Sequence, residues 1–172
     1  SPGLAKMPFS AWLIPEEKYC GQLQELINRL ALENNAPKFI PHCTLAGKIM
    51  LSSNFLCDEI KTFCNQSKPM SLNVFKIMSE KTLFKSLYIQ FKKEKFIVDF
   101  QKKIANFFIK REPYLFDPHL SLMYKSVSTE KQKKIIAGIP LPDQISFNCI
   151  SIVDTGGIVD EWNCVFNQKL SE

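Results

Sequence analysis

The sequence predicts an α+β fold: a duplicated, two-lobed chain with antiparallel sheets, helices on their outer faces and a central cleft. Three observations lead there. Helix-period and strand-period segments run in the same order before and after mid-chain. The two histidines, 77 residues apart, sit in matching contexts, Ile40-Pro41-His42-Cys43-Thr44-Leu45 and Asp117-Pro118-His119-Leu120-Ser121-Leu122. No Gly-rich, Pro-rich or single-charge tract marks a linker, so residues 1–172 are expected to form one domain with halves at about 9–80 and 81–172.

The elements follow in order. Phe9 to Ile14 is an apolar run ended by Pro15, a strand. From Glu16 to Leu32 the residues Tyr19, Leu23, Leu26, Ile27 and Leu30 recur at helical spacing. Lys38 to Met50 reads as a strand carrying His42. Ser52 or Ser53 caps a helix to about Gln66, with Phe55, Leu56, Ile60 and Phe63 inward. Met70 to Met78 and Leu83 to Lys92 are rich in Phe, Val, Ile and Tyr and read as strands. Lys95 to Lys110 is the clearest amphipathic helix, with Phe96, Ile97, Phe100, Ile104, Phe107 and Phe108 on one side. Phe116 to Lys125 is a strand carrying His119. Ser128 or Thr129 opens a helix to about Ala137, residues 138–142 loop, and Gln144 to Asp154 and Glu161 to Leu170 are closing strands around Gly156-Gly157.

Each histidine motif reads Pro-His-x-(Ser/Thr)-Leu. On a strand, residues two apart share a face. That puts Ile40, His42, Thr44 and Ala46 together, and Asp117, His119, Ser121 and Met123 together. Imidazole titrates near neutrality, so one ring can accept a proton from water while the other, charged, protonates a departing ribose oxygen. The hydroxyls of Thr44 and Ser121 can hold phosphate oxygens as charge builds on phosphorus. This chemistry is hydrolysis of a phosphate ester, with His42 and His119 catalytic. It calls for no metal and no cofactor, and the sequence shows no metal-ligand spacing. The histidine set is pseudo-symmetric, so it does not say which ring is base and which acid. Simple alternation turns Tyr124 away from this face. Phe84 and Tyr88 are assigned to the core, and Trp12 and Trp162 to the core or the edge of the groove.

Composition narrows the setting. With 45% hydrophobic residues and 14 Phe, the chain has a packed interior. A net charge of +5 favours an anionic substrate without demanding nucleic acid. Six cysteines include no C-x-x-C pair, and Cys57 and Cys64 lie too far apart on a helix for a disulfide, so reduced thiols and a cytoplasmic location are expected. No run of 18 apolar residues is present, so no membrane span is expected.

The paired motifs, together with Ser10-Ala11-Trp12-Leu13-Ile14-Pro15, Pro118-His119-Leu120-Ser121-Leu122-Met123-Tyr124 and Glu161-Trp162, resemble the 2H phosphoesterase superfamily. Within it the chain is most similar to the plant and fungal cyclic phosphodiesterases. The resemblance implies a bilobal fold and metal-independent hydrolysis of ADP-ribose 1″,2″-cyclic phosphate or nucleoside 2′,3′-cyclic phosphates. It implies His42 and His119 as the catalytic pair, Thr44 and Ser121 as phosphate-holding hydroxyls, and Tyr124 as a ligand-binding residue. The expected partner is a small nucleotide cyclic phosphate, with an RNA end as a further candidate, and the expected state is a monomer. Rival readings are a 2′,5′-phosphodiesterase or RNA-end processing enzyme using the same residues, and a non-catalytic RNA-binding module. Plant members carry disulfides whose partners are not matched here, so redox control is not implied.

Overall fold

The structure, a computed structural model, describes residues 8–108 and 115–171. Its elements are β1 (Phe9–Pro15), α1 (Glu17–Asn34), β2 (Cys43–Ile49), α2 (Ser53–Asn65), β3 (Met70–Met78), β4 (Leu87–Phe91), α3 (Lys95–Ala105), β5 (His119–Met123), α4 (Thr129–Ala137), β6 (Gln144–Asp154) and β7 (Asn163–Lys169). The α+β class is as predicted, and strand, helix, strand, helix, strand occurs twice before β7 is added.

Boundaries moved where local chemistry overrides periodicity. The histidine strands begin at Cys43 and His119, later than predicted, because Pro41 and Pro118 cannot donate to a strand ladder. Residues 83–85, predicted as strand, form one turn of 3-10 helix. The next residue, Ser86, is buried, donates its hydroxyl to the Met123 carbonyl at 2.6 Å and accepts from Lys125 N–H, so the backbone bends there before β4 starts. Glu161, predicted as strand, ends another 3-10 turn. Helix α3 stops at Ala105; the predicted extension reaches 109–110, which lie outside the described residues. Phe55 and Phe96, expected inward, are exposed. Ser52 and Ser128 are the caps of α2 and α4, each accepting a backbone N–H three residues on.

The strands join in one antiparallel sheet in the order β1-β2-β5-β4-β3-β6-β7, and β1 also pairs with β6, so six of the seven strands close a ring of pairings. The pairing does not follow the sequence halves. The third strand of each half, β3 or β6, pairs with the first strand of the other half, β4 or β1. This makes two lobes, β1, β2 and β6 in one and β3, β4 and β5 in the other, which meet where β3 runs beside β6 and at Cys43 opposite Leu120. Those two residues each follow a histidine, so this crossing closes the 77-residue gap between the motifs. Helix packing crosses over as well: α1 lies on β5 and α3 on β2, and the buried Gln101 of α3 donates to the Leu45 carbonyl at 2.9 Å. Ile27, Leu45, Ile49, Ile97, Ile104, Leu120 and Leu122 are fully enclosed between these layers. Burying such side chains contributes roughly 1.5–3 kcal/mol each.

Candidate active site

His42 and His119 line one cavity of about 310 Å³, together with Thr44, Ser121 and Tyr124. All five residues singled out in the sequence are therefore in one place. Of the other residues expected on the same strand faces, Ile40, Ala46, Asp117 and Met123 are not on its wall.

The two imidazoles are oriented by the same device. His42 Nδ1 lies 2.7 Å from the Ile40 carbonyl oxygen, and His119 Nδ1 lies 2.7 Å from the Asp117 carbonyl oxygen. A carbonyl only accepts, so each Nδ1 carries a hydrogen and each Nε2 is the free nitrogen of its ring. His42 precedes its strand, so this bond to the carbonyl two residues back sets its ring. Strand alternation alone does not.

Their surroundings differ. Trp12 stacks flat on His42, centroids 3.5 Å apart and planes at 8°, and Phe39 stands edge-on at 6.2 Å. Burial lowers the His42 pKa to about 4; the Ile40 hydrogen bond opposes the shift and charge on His119 adds to it. Around His119 the neighbours are polar. Asp117 accepts from Lys85 at 2.8 Å and from Gln90 at 2.9 Å, Lys85 also pairs with Glu80 at 3.1 Å, and Tyr88 donates to Glu80 at 2.8 Å. The Tyr88 ring stands edge-on to His119 at 5.4 Å. Burial lowers the His119 pKa too, but the Asp117 hydrogen bond and the Asp117 and Glu80 charges push it back up, against Lys85.

The hydroxyls also differ. Ser121 donates to the Phe84 carbonyl at 2.9 Å, whereas Thr44 has no partner among the described residues. Tyr124 follows the end of β5, free of the strict alternation that turned it away from the site. It stacks on Phe39 at 3.9 Å, and burial raises its phenol far above the usual value, so it remains a proton donor. Phe84, assigned to the core, is instead a half-exposed cavity wall stacked with Trp162, because the 3-10 turn of residues 83–85 swings it out of β4. Trp12 and Trp162 both line the cavity, and Trp162 Nε1 is buried without a hydrogen-bond partner among the described residues. Tyr88 is in the core as expected. Cys43 is buried beside the site with its thiol pushed up to about 12, which leaves it inert at neutral pH.

Sequence reasoning missed the part of the cavity wall formed by Pro8, Ser10, Gly47, Lys48 and Thr155. An isolated glycine inside a strand pattern, Gly47, was the available signal, because it marks a bulge. The Glu80–Lys85–Asp117 network had no sequence signal, since it depends on which strand lies beside β5. Among the described residues, no group of three or more His, Cys, Asp or Glu is placed to hold a metal ion, and no helix is long and apolar enough to cross a membrane.

A ring-closed α+β sheet of repeated order, with two His-x-(Ser/Thr) motifs meeting in one cavity, defines the class: this is a 2H phosphoesterase. Residues 7–139 match the family described as cyclic phosphodiesterase-like protein; the chain belongs to that family and is a phosphodiesterase. A cyclic phosphodiesterase of Arabidopsis thaliana is 22% identical over 125 residues, covering 73% of this chain and 69% of that protein. Escherichia coli LigT, crystallised with 3′-AMP, superposes with a TM-score of 0.59 at 9% identity, over 95% of this chain and 98% of LigT. A Thermus thermophilus protein superposes with a TM-score of 0.60 at 10% identity, over 95% and 98% of the two chains.

Proposed function

We propose that the enzyme opens the cyclic phosphate of a ribose nucleotide, ADP-ribose 1″,2″-cyclic phosphate or a nucleoside 2′,3′-cyclic phosphate, with His42 as general base and His119 as general acid. The observation that carries this reading is the matched pair of Nδ1–carbonyl bonds, which leaves Nε2 as the nitrogen available for proton transfer on each of two rings lining one cavity. His42 is the more strongly held neutral, as a base requires; His119 has carboxylates beside it that favour its charged form, as an acid requires.

In the proposed step His42 Nε2 takes a proton from water as the water oxygen bonds to phosphorus. The bond from phosphorus to one ribose oxygen breaks in line with it, and His119 Nε2–H protonates that oxygen. The product is a ribose phosphomonoester. Both rings then exchange their protons with solvent and the site is reset. Thr44 donates to a non-bridging phosphate oxygen, and Ser121 does so after turning from Phe84. The buried Trp162 N–H and the aromatic walls suit the rest of a nucleotide, and LigT, which shares the fold, was crystallised with 3′-AMP. A monomeric, cytosolic enzyme belongs to the same reading, and the six free thiols support its cytosolic part.

The test presents ADP-ribose 1″,2″-cyclic phosphate and 2′,3′-cyclic AMP side by side in EDTA, with products identified by phosphorus NMR. Opening of either ring to a single phosphomonoester is expected. If both rings stay closed while a 2′,5′-linked oligonucleotide is cut, the enzyme moves to the RNA-processing branch. Loss of activity in EDTA would defeat the two-imidazole scheme.

A further inference from the structure

The bulge in β2 puts a cation on the cavity wall. Phe9 pairs with Ile49 and Ala11 with Ala46, so the single residue Ser10 of β1 faces two residues of β2, Gly47 and Lys48. Lys48 sits at φ 52°, the left-handed region that favours glycine. A chain that only needed to turn here would be better served by glycine at 48, and glycine already stands one position earlier. Strain kept at a non-glycine residue beside a cavity points to a use for its side chain. Among the described residues, Lys48 is the one lysine or arginine lining this cavity, and it has no carboxylate partner. The wall behind it is braced: Thr155 Oγ1 donates to the Pro8 carbonyl at 3.1 Å and lies 3.2 Å from Ser10 Oγ. The cavity thus combines aromatic rings at Phe84, Tyr124 and Trp162, two imidazoles and two hydroxyls, and one cation.

We infer that Lys48 forms a second anion subsite, which takes a phosphate carried on the 5′ side of the ribose whose cyclic ester is opened. This rests on the cyclic-phosphate reading above and sharpens it. The preferred substrate is a ribose cyclic phosphate bearing a further 5′-phosphate or diphosphate, and a bare nucleoside 2′,3′-cyclic phosphate is the poorer one. The aromatic rings are already suited to a base, and the imidazoles and hydroxyls to the reacting phosphate, so a substrate with no third group would leave the lysine without a ligand.

Binding tests this apart from turnover. Calorimetric titration at low salt compares 3′-AMP with adenosine 3′,5′-bisphosphate, for wild type, Lys48→Met and Lys48→Arg. Wild type should bind the bisphosphate about two- to fivefold more tightly than 3′-AMP, the scale of one exposed charge pair. Lys48→Met should erase that preference and Lys48→Arg keep it. Equal wild-type affinities, or a Lys48→Met loss shared equally by both ligands, would overturn the subsite. Lys48→Gly should also lose the preference while melting at a higher temperature than wild type, because the strain is released; a melting point no higher would overturn the argument from strain. A second arm compares turnover of 2′,3′-cyclic AMP with and without a 5′-phosphate, and of ADP-ribose 1″,2″-cyclic phosphate, which separates a single phosphate from a diphosphate. If none is opened while the binding preference holds, the catalytic reading fails and the subsite stands.

Discussion

Trp12 lies flat on His42, ring centroids 3.5 Å apart with 8° between the planes. Its counterpart across the repeat is Tyr88: Trp12 pairs with Thr44 as Tyr88 pairs with Ser121, and Tyr88 meets His119 edge-on at 5.4 Å. The same position thus supplies a hydrophobic lid for one ring and a polar-network member for the other. Trp12→Ala should therefore do more than remove area. It lets water reach His42 and frees the ring to tilt, and kcat/KM should fall ~10- to 100-fold, the scale of a small misplacement. The low-pH limb of the profile should move up toward 6.5, the ordinary histidine value. A rate within a few-fold of wild type, with an unmoved limb, would show that the stack is only packing.

The asymmetry fixes the sign of the pH dependence. A base His42 must be neutral, so activity rises as pH passes upward through about 4. An acid His119 must be charged, so activity falls as pH passes upward through a value lowered from 6.5. The kcat/KM profile, which reports the free enzyme, should be a bell centred below 6.5. A bound phosphate raises both pKa values, so the kcat profile should shift alkaline. Replacing either histidine by Ala should cost at least ~10²-fold. In His42→Ala the acid-side limb should vanish, and in His119→Ala the alkaline limb; the reverse assignment of limbs would exchange the two roles.

His42 also links pH to stability. Its folded pKa is lowered from 6.5 to about 4, so the unfolded chain binds a proton that the folded chain refuses. Its contribution is complete above pH 6.5 and is lost as pH falls through the window down to 4. By pH 4 the loss should reach about 3 kcal/mol. Urea unfolding of wild type and His42→Asn at pH 7 and pH 4.5 isolates it, because the lowered Asp117 and Glu80 carboxylates titrate in both proteins. Parallel curves would mean the ring is hydrated and not held neutral.

Much of this site was legible before any fold was known, because its marks are local. Pro-His-x-(Ser/Thr)-Leu is short-range chemistry repeated at the same place in two runs of like order, and the pairs Ser52-Ser53 and Ser128-Thr129 announced their helices by capping rules. The rest depends on neighbours. Phe84 looked like a strand core residue until the buried Ser86 bent the chain ahead of β4. Tyr124 obeyed alternation only as far as its strand lasted, and that strand ends at Met123. Lys48 gains its meaning from one unmatched residue in β1, and Asp117 from the accident that β4 lies beside β5 and brings Lys85 and Gln90 with it. Position 40, which matches Asp117 in the other motif, is Ile, a difference written in the sequence whose effect on the two rings depends on what packs beside Asp117.

That difference can be reversed from either side of one ion pair. Asp117 and Lys85 are 2.8 Å apart and push the His119 pKa in opposite directions, the carboxylate up and the ammonium down. Asp117→Asn removes the favourable charge and leaves Lys85 less neutralised, with only Glu80 at 3.1 Å to offset it. The alkaline limb of kcat/KM should then move to lower pH. Lys85→Met removes the opposing charge while Asp117 keeps its hydrogen bond from Gln90, so the same limb should move to higher pH. The main-chain bond that orients His119 comes from the Asp117 carbonyl, which neither substitution removes, so ring placement is common to both variants. Opposite shifts measured in matched buffers mean that the network acts on the proton of His119. Shifts in the same direction, or a fall in rate with no shift, mean that it acts on the packing around β4, and the assignment of His119 as the acid would lose its electrostatic support.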